Sequence, residues 1–116
     1  SIINMIIESV LDAKLPKDFK DKWVTALRSG KYKQTDAVIH NSLTDSYCCL
    51  GVACRIAYPE RDLREYSVIT EGEFDLVPVV IQGQSIDNIV VRHLTSMNDT
   101  EKKTFAEIAD WIEGNL

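Results

Sequence analysis

Three cysteines stand close together, Cys48, Cys49 and Cys54, in a chain of 116 residues. A thiolate nucleophile needs a nearby base or a helix N-terminus to lower its pKa. Cys48 and Cys49 fall where the first turn of a helix is expected, and His40 or His93 are the bases that could approach. Packing argues the other way: free cysteine behaves as a small buried hydrophobe, and Tyr47, Leu50 and Val52 give the pair apolar neighbours. The balance favours packing, so no catalytic residue is assigned; a small enzyme with a Cys48 or Cys49 nucleophile is the alternative. The spacing offers no C-x-x-C knuckle and the histidines lie far apart, so no metal or other cofactor is expected. An odd count with an adjacent pair makes no disulfide framework, which points to a reducing, cytoplasmic setting.

A second group could bind rather than react. Arg28, Lys31 and Lys33 surround Tyr32 and Gln34, and a ring beside cations and an amide is suited to stacking a base and holding phosphate. The bland reading is a tyrosine packed over a helix end. Asn98 and Asp99 form a third candidate, with Asn98 able to read an amide or ribose edge and Asp99 able to cap a helix. The tentative ligand set is therefore Arg28, Lys31, Tyr32, Lys33, Gln34, Asn98 and Asp99.

Charge narrows the partners. Residues 14–33 hold seven basic side chains against two acids, a local +5, so the remainder carries −10 of the overall −5. Such a surface repels the phosphate backbone over most faces, which argues against general nucleic-acid binding. A small anionic ligand at the basic segment, or a protein partner on an acidic face, is compatible. The longest uncharged stretch, residues 76–86, is too short for a membrane span, and Pro78 and Gly83 break it. No P-loop, G-x-G-x-x-G, H-E-x-x-H or G-x-S-x-G motif occurs.

The elements that must position these residues follow from hydrophobic spacing. Residues 2–14 carry apolar side chains at 3, 6, 7, 10 and 11, an amphipathic helix widened by Ile2 and Met5. With no basic lead-in to suggest a secretion signal, that helix is expected to belong to the fold and to mediate self-association. Pro16 opens a second helix with Phe19, Trp23, Ala26 and Leu27 on one face and Gly30 as its left-handed cap. A short strand is expected near 37–39, then a helix from about Ser46, capped by Asp45 or Ser46 and ended by Pro59. Gly51 within it implies a close backbone approach. Residues 66–70 and 73–77 alternate around Glu71-Gly72 as a β-hairpin, and residues 78–83 suit either a strand or a helical turn. Ser85 caps a helix facing inward through Val90, Leu94 and Met97. Residues 98–100 break it and cap a last helix with Phe105, Ile108, Ala109 and Ile112 inside and acids outside. The sum is one domain, residues 1–116, of helix-dominated α+β class, with four or five helices and a short antiparallel hairpin. Trp23, Leu27, Tyr47, Leu50, Val90, Leu94, Phe105, Ile108 and Ile112 are expected to share its core.

Three blocks carry a resemblance. W-x-x-A-L-R-S-G-x-Y-x-Q spans 23–34, Y-C-C-L-G-V-x-C spans 47–54, and L-T-x-x-N-D at 94–99 precedes F-x-E-I-A-D-x-I-E at 105–113. In this order they resemble a family of small bacteriophage and prophage proteins that no shared biochemistry defines. The resemblance implies phage origin and the cytoplasm of an infected bacterial host. Small phage proteins outside the replication and structural modules are often host-takeover or anti-defence factors that act by binding. The expected function is accordingly non-catalytic: sequestering a nucleotide immune signal or engaging a host protein. A purely structural oligomeric phage protein is a further alternative.

Overall fold

The computed structural model describes residues 15, 17–60, 63, 80–81, 84–85 and 88–116. The expected helix over 2–14 and the hairpin over 66–77 lie outside the described residues. Helix α1, Lys17–Arg28, buries Phe19, Trp23, Val24 and Leu27 and turns its lysines outward. It ends as expected, with Gly30 at φ 75° and Ser29 Oγ accepting from the Lys31 N–H at 3.1 Å. Three very short strands follow: β1 Lys33–Gln34, β2 His40–Asn41 and β3 Ser46–Tyr47. The order is β1-β3-β2, with β1 parallel and β2 antiparallel to the central β3.

This sheet displaces two expectations. The strand expected at 37–39 lies at His40–Asn41, because Ala37 takes a positive φ of 67° that no strand accommodates. Ser46 does not start a helix: it is paired in β3, and α2 runs from Cys49 to Ala57 with Cys48 as its N-cap. Every residue from Cys49 to Cys54 is buried. The close approach implied by Gly51 is real, since a Cβ there would lie 1.9 Å from the Ile39 carbonyl oxygen.

Strands β4, Val80–Ile81, and β5, Gln84–Ser85, pair antiparallel, which decides the open question at 80–81 in favour of strand. Ser85 is thus a strand residue rather than a helix cap. Helix α3, Asn88–Thr95, runs directly into a wider π turn, Ser96–Thr100, closed by the Glu101 N–H donating to Ser96 O at 2.8 Å. Helix α4 covers Phe105–Asn115. Its N-cap is Thr104, not the expected Asp99: Thr104 Oγ1 accepts from the Glu107 N–H while Glu107 Oε1 accepts from the Thr104 N–H, so both orphan donors are satisfied together.

Helix α1 packs most extensively on α4 and next on α2, while α3 closes over α2. All nine expected core residues are buried in one cluster. Trp23 links two layers by donating its indole N–H to Cys49 O at 3.0 Å. The domain is a helix-dominated α+β fold with a small three-stranded mixed sheet and a two-stranded antiparallel pair. No helix among the described residues is long and apolar enough to cross a membrane.

Candidate functional site

The cysteines are inside. Cys48, Cys49 and Cys54 are buried free thiols. Burial pushes Cys48 up to about 12, more than the bonds from the Gly51 and Leu50 amides lower it. Burial raises Cys49 well above its ordinary value, aided by the charge of its neighbour. Cys48 instead serves as a cap, its Sγ accepting from the Gly51 N–H at 3.4 Å. A thiol held neutral at neutral pH is a poor nucleophile. Among the described residues, no group of three His, Cys, Asp or Glu side chains is placed to hold a metal ion.

The second group divides. Arg28 is committed to α4, its guanidinium forked between Asp110 Oδ1 at 2.6 Å and Glu113 Oε2 at 2.8 Å. Tyr32 packs edge-on against Tyr47, ring centroids 5.3 Å apart, and His40 stacks on Tyr47 at 4.4 Å. Lys31 lies 5.8 Å over the Tyr32 ring, and Lys31 and Lys33 are exposed. The site residues missing from the sequence reading are Thr35, Asp36, Lys102, Lys103 and Thr104.

Gln34 and Asn98 come together, 64 positions apart in sequence, through a bond of 3.0 Å. Asn98 is 3% exposed and both polar atoms of its side chain are engaged. Its Oδ1 accepts from Gln34 Nε2 and from the Cys49 N–H at 3.2 Å, capping α2 from across the fold. Its Nδ2 donates to Thr35 O and to Asp99 Oδ1, each at 2.8 Å. Gln34 Nε2 also donates to Lys103 O at 2.8 Å. The π turn puts consecutive residues Met97 and Asn98 inside, a local widening often found at functional positions.

Around this hub opens a cleft of about 410 Å³, lined by Gln34, Thr35 and Asp36 on one wall and Lys102, Lys103 and Thr104 on the other, with Asn98 between. An ion pair between Lys102 Nζ and Asp36 Oδ2 spans the walls and lowers the Asp36 carboxyl, by hydrogen bond first and by charge second. On one wall Lys102 takes the left-handed region at φ 56°; outside the cleft Ala37, next to the lining residue Asp36, does so at φ 67°, and Asp45, in the turn between β2 and β3, at φ 48°. That conformation costs about 1–2 kcal/mol for a residue with a Cβ. Such outliers concentrate at ligand clamps and switches.

Fold and site together define a small α+β domain with capped, internally bonded polar groups around a polar cleft. Residues 15–91 match the model of a domain of unknown function, DUF8296. That is 77 of the 116 residues, and the chain belongs to this family. No curated protein and no solved structure matches the chain. The matched segment supplies one wall of the cleft; Asn98 and the 102–104 wall lie beyond it.

Proposed function

We propose that this is a non-catalytic accessory protein of phage type, a host-takeover or anti-defence factor that binds a host protein in the bacterial cytoplasm. The observation that carries the choice of partner is the internal use of the groups a nucleotide would need. Arg28 is forked onto two carboxylates, Tyr32 is packed on Tyr47, and Gln34 and Asn98 hold the hub. Rebuilding these for a base and a phosphate would break bonds that the fold uses.

A protein partner gains from what stays outside. Leu43 is 94% exposed, the one large apolar side chain so placed among the described residues. It sits in the turn between β2 and β3, where Asn41 Oδ1 accepts the Leu43 N–H at 3.0 Å and His40 meets Asp45 at 3.0 Å. A knob held in place loses little freedom on docking, and burying a leucine contributes about 1.5–3 kcal/mol. Self-association through residues 2–14, whose apolar side chains recur at helical spacing in the sequence, belongs to the same proposal.

The test pairs a thermal-shift screen against cyclic oligonucleotides and ADP-ribose derivatives with affinity capture from host lysate and reconstitution of any captured complex from purified proteins. The expected result is no nucleotide shift and one reconstituted partner whose binding weakens in Leu43→Asp. A nucleotide that raises the melting point by several degrees at a hundredfold excess over its Kd, a stabilisation of about 2.7 kcal/mol, overturns the choice of a protein partner.

A further inference from the structure

The cleft's charges are arranged in a way that selects a ligand class. Asp36 and Lys102 face each other across it, each carried beside or on a backbone position that disfavours its residue type. Lys103 lines the same wall as Lys102, so one positive charge is left over after the pair is counted. The Asp36–Lys102 pair is half exposed on both sides, 48% and 64%; such pairs contribute little stability. It therefore does not account for keeping Lys102 in the left-handed region on this wall.

A ligand with only an anion would take Lys102 and leave Asp36 facing it. A ligand with only a cation would take Asp36 and leave two lysines unmatched. A ligand bearing both charges exchanges one internal pair for two external ones. Acids near the cleft, Asp99 bonded to Asn98 and Glu107 bonded to Thr104, weigh further against a purely anionic ligand such as a phosphate. The Thr35 hydroxyl on the wall, able to donate and to accept, suits a polypeptide backbone.

Building on the protein-binding reading above, we infer that the cleft receives a polypeptide segment of the partner carrying a cationic and an anionic side chain together, the cation on Asp36 and the carboxylate on Lys102 and Lys103. The probes are tetrapeptides blocked at both ends: one with a lysine and a glutamate, and two in which glutamine replaces one or the other. They are titrated into the 15N-labelled protein and followed by amide shifts. The two-charge peptide is expected to shift residues 34–36 and 102–104 saturably, and each one-charge peptide to bind at least tenfold more weakly. Asp36→Asn and Lys102→Gln should each weaken the two-charge peptide at least tenfold while melting within a few degrees of the parent. Equal binding of the glutamate-only peptide makes this a plain anion site and overturns the inference, as does the lack of any saturable shift. A silent titration beside a host-protein complex that survives Asp36→Asn overturns the cleft assignment alone; failure to find any host-protein complex overturns the reading it rests on.

Discussion

Replacing Asn98 by alanine removes a side chain that ties β1, α2 and the π turn together. The Cys49 N–H then loses its acceptor in the interior, at a cost of about 1–3 kcal/mol for an orphaned buried donor. The Thr35 carbonyl loses its donor in a half-buried position, adding about 1 kcal/mol. Gln34 Nε2 keeps Lys103 O and contributes little to the loss. The sum is about 2–4 kcal/mol, or roughly 8–16 °C in melting temperature for a domain of this size. Circular dichroism melts of the parent, Asn98→Ala and Asn98→Asp decide it. Asn98→Asp retains the acceptor for Cys49 but sets a carboxylate against Thr35 O and Asp99 Oδ1. It should be severely destabilised at pH 7 and partly recover towards pH 4, where the protonated acid again donates a hydrogen bond. An Asn98→Ala variant melting within 2 °C, roughly 0.5 kcal/mol, would refute the assignment of Asn98 as the hub.

Four other outcomes follow from the same geometry. Gly51→Ala gains about 1 kcal/mol of helix propensity but drives a Cβ to 1.9 Å from Ile39 O, so a net loss of 2 kcal/mol or more is expected in denaturant melts; a neutral result would contradict the close approach. The buried thiols Cys48, Cys49 and Cys54 should react with a thiol reagent only at the rate of opening, and a Cys48→Ser, Cys49→Ser double variant should lose stability but keep binding; loss of function without loss of stability would restore the nucleophile reading. His93 is held below its ordinary value by burial, so the unfolded chain takes up its proton first: the histidine's effect is absent above about pH 6.5 and stability falls as pH drops from there to the lowered folded value. Trp111, whose ring lies 4.7 Å from His93, should report that titration by fluorescence, with a midpoint below that of free histidine. Glu107 is lowered, chiefly by the Thr104 N–H and then by the Thr104 hydroxyl; its stabilising effect is present above the ordinary carboxylate range and lost as pH falls through the lowered value. Glu107→Gln should flatten the acid limb of the stability curve, and an unchanged limb would show that the cap is not formed.

The long periodic segments were legible because helical spacing and burial agree: Phe19, Trp23 and Leu27 on α1 and Phe105, Ile108 and Ile112 on α4 all point inward. The sheet was not, because strands of two residues have no period to detect. The β1–β3 pairing is made by contacts across 13 positions, Lys33 with Ser46 and Gln34 with Tyr47. That pairing takes Ser46 out of helix α2 and hands the capping role to Cys48. The α4 cap was readable in Thr104 and Glu107, three residues apart, yet Asp99 offers an equally good capping side chain in a stretch that continues α3 as a π turn instead. For the cleft, residue type gives no warning: the lysine at position 102 does not announce a positive φ, as glycine or asparagine would. Gln34 and Asn98 were legible as polar residues with a purpose, but the purpose the structure gives them is to hold the fold together.

Native mass spectrometry of the chain isolated from a bacterial host tests the central claim most directly, because each kind of partner leaves a different mass. The account predicts a stoichiometric complex of the 13.1 kDa chain, as monomer or dimer, with one host polypeptide. An adduct of nucleotide mass, or species that are only whole multiples of the chain, would contradict it.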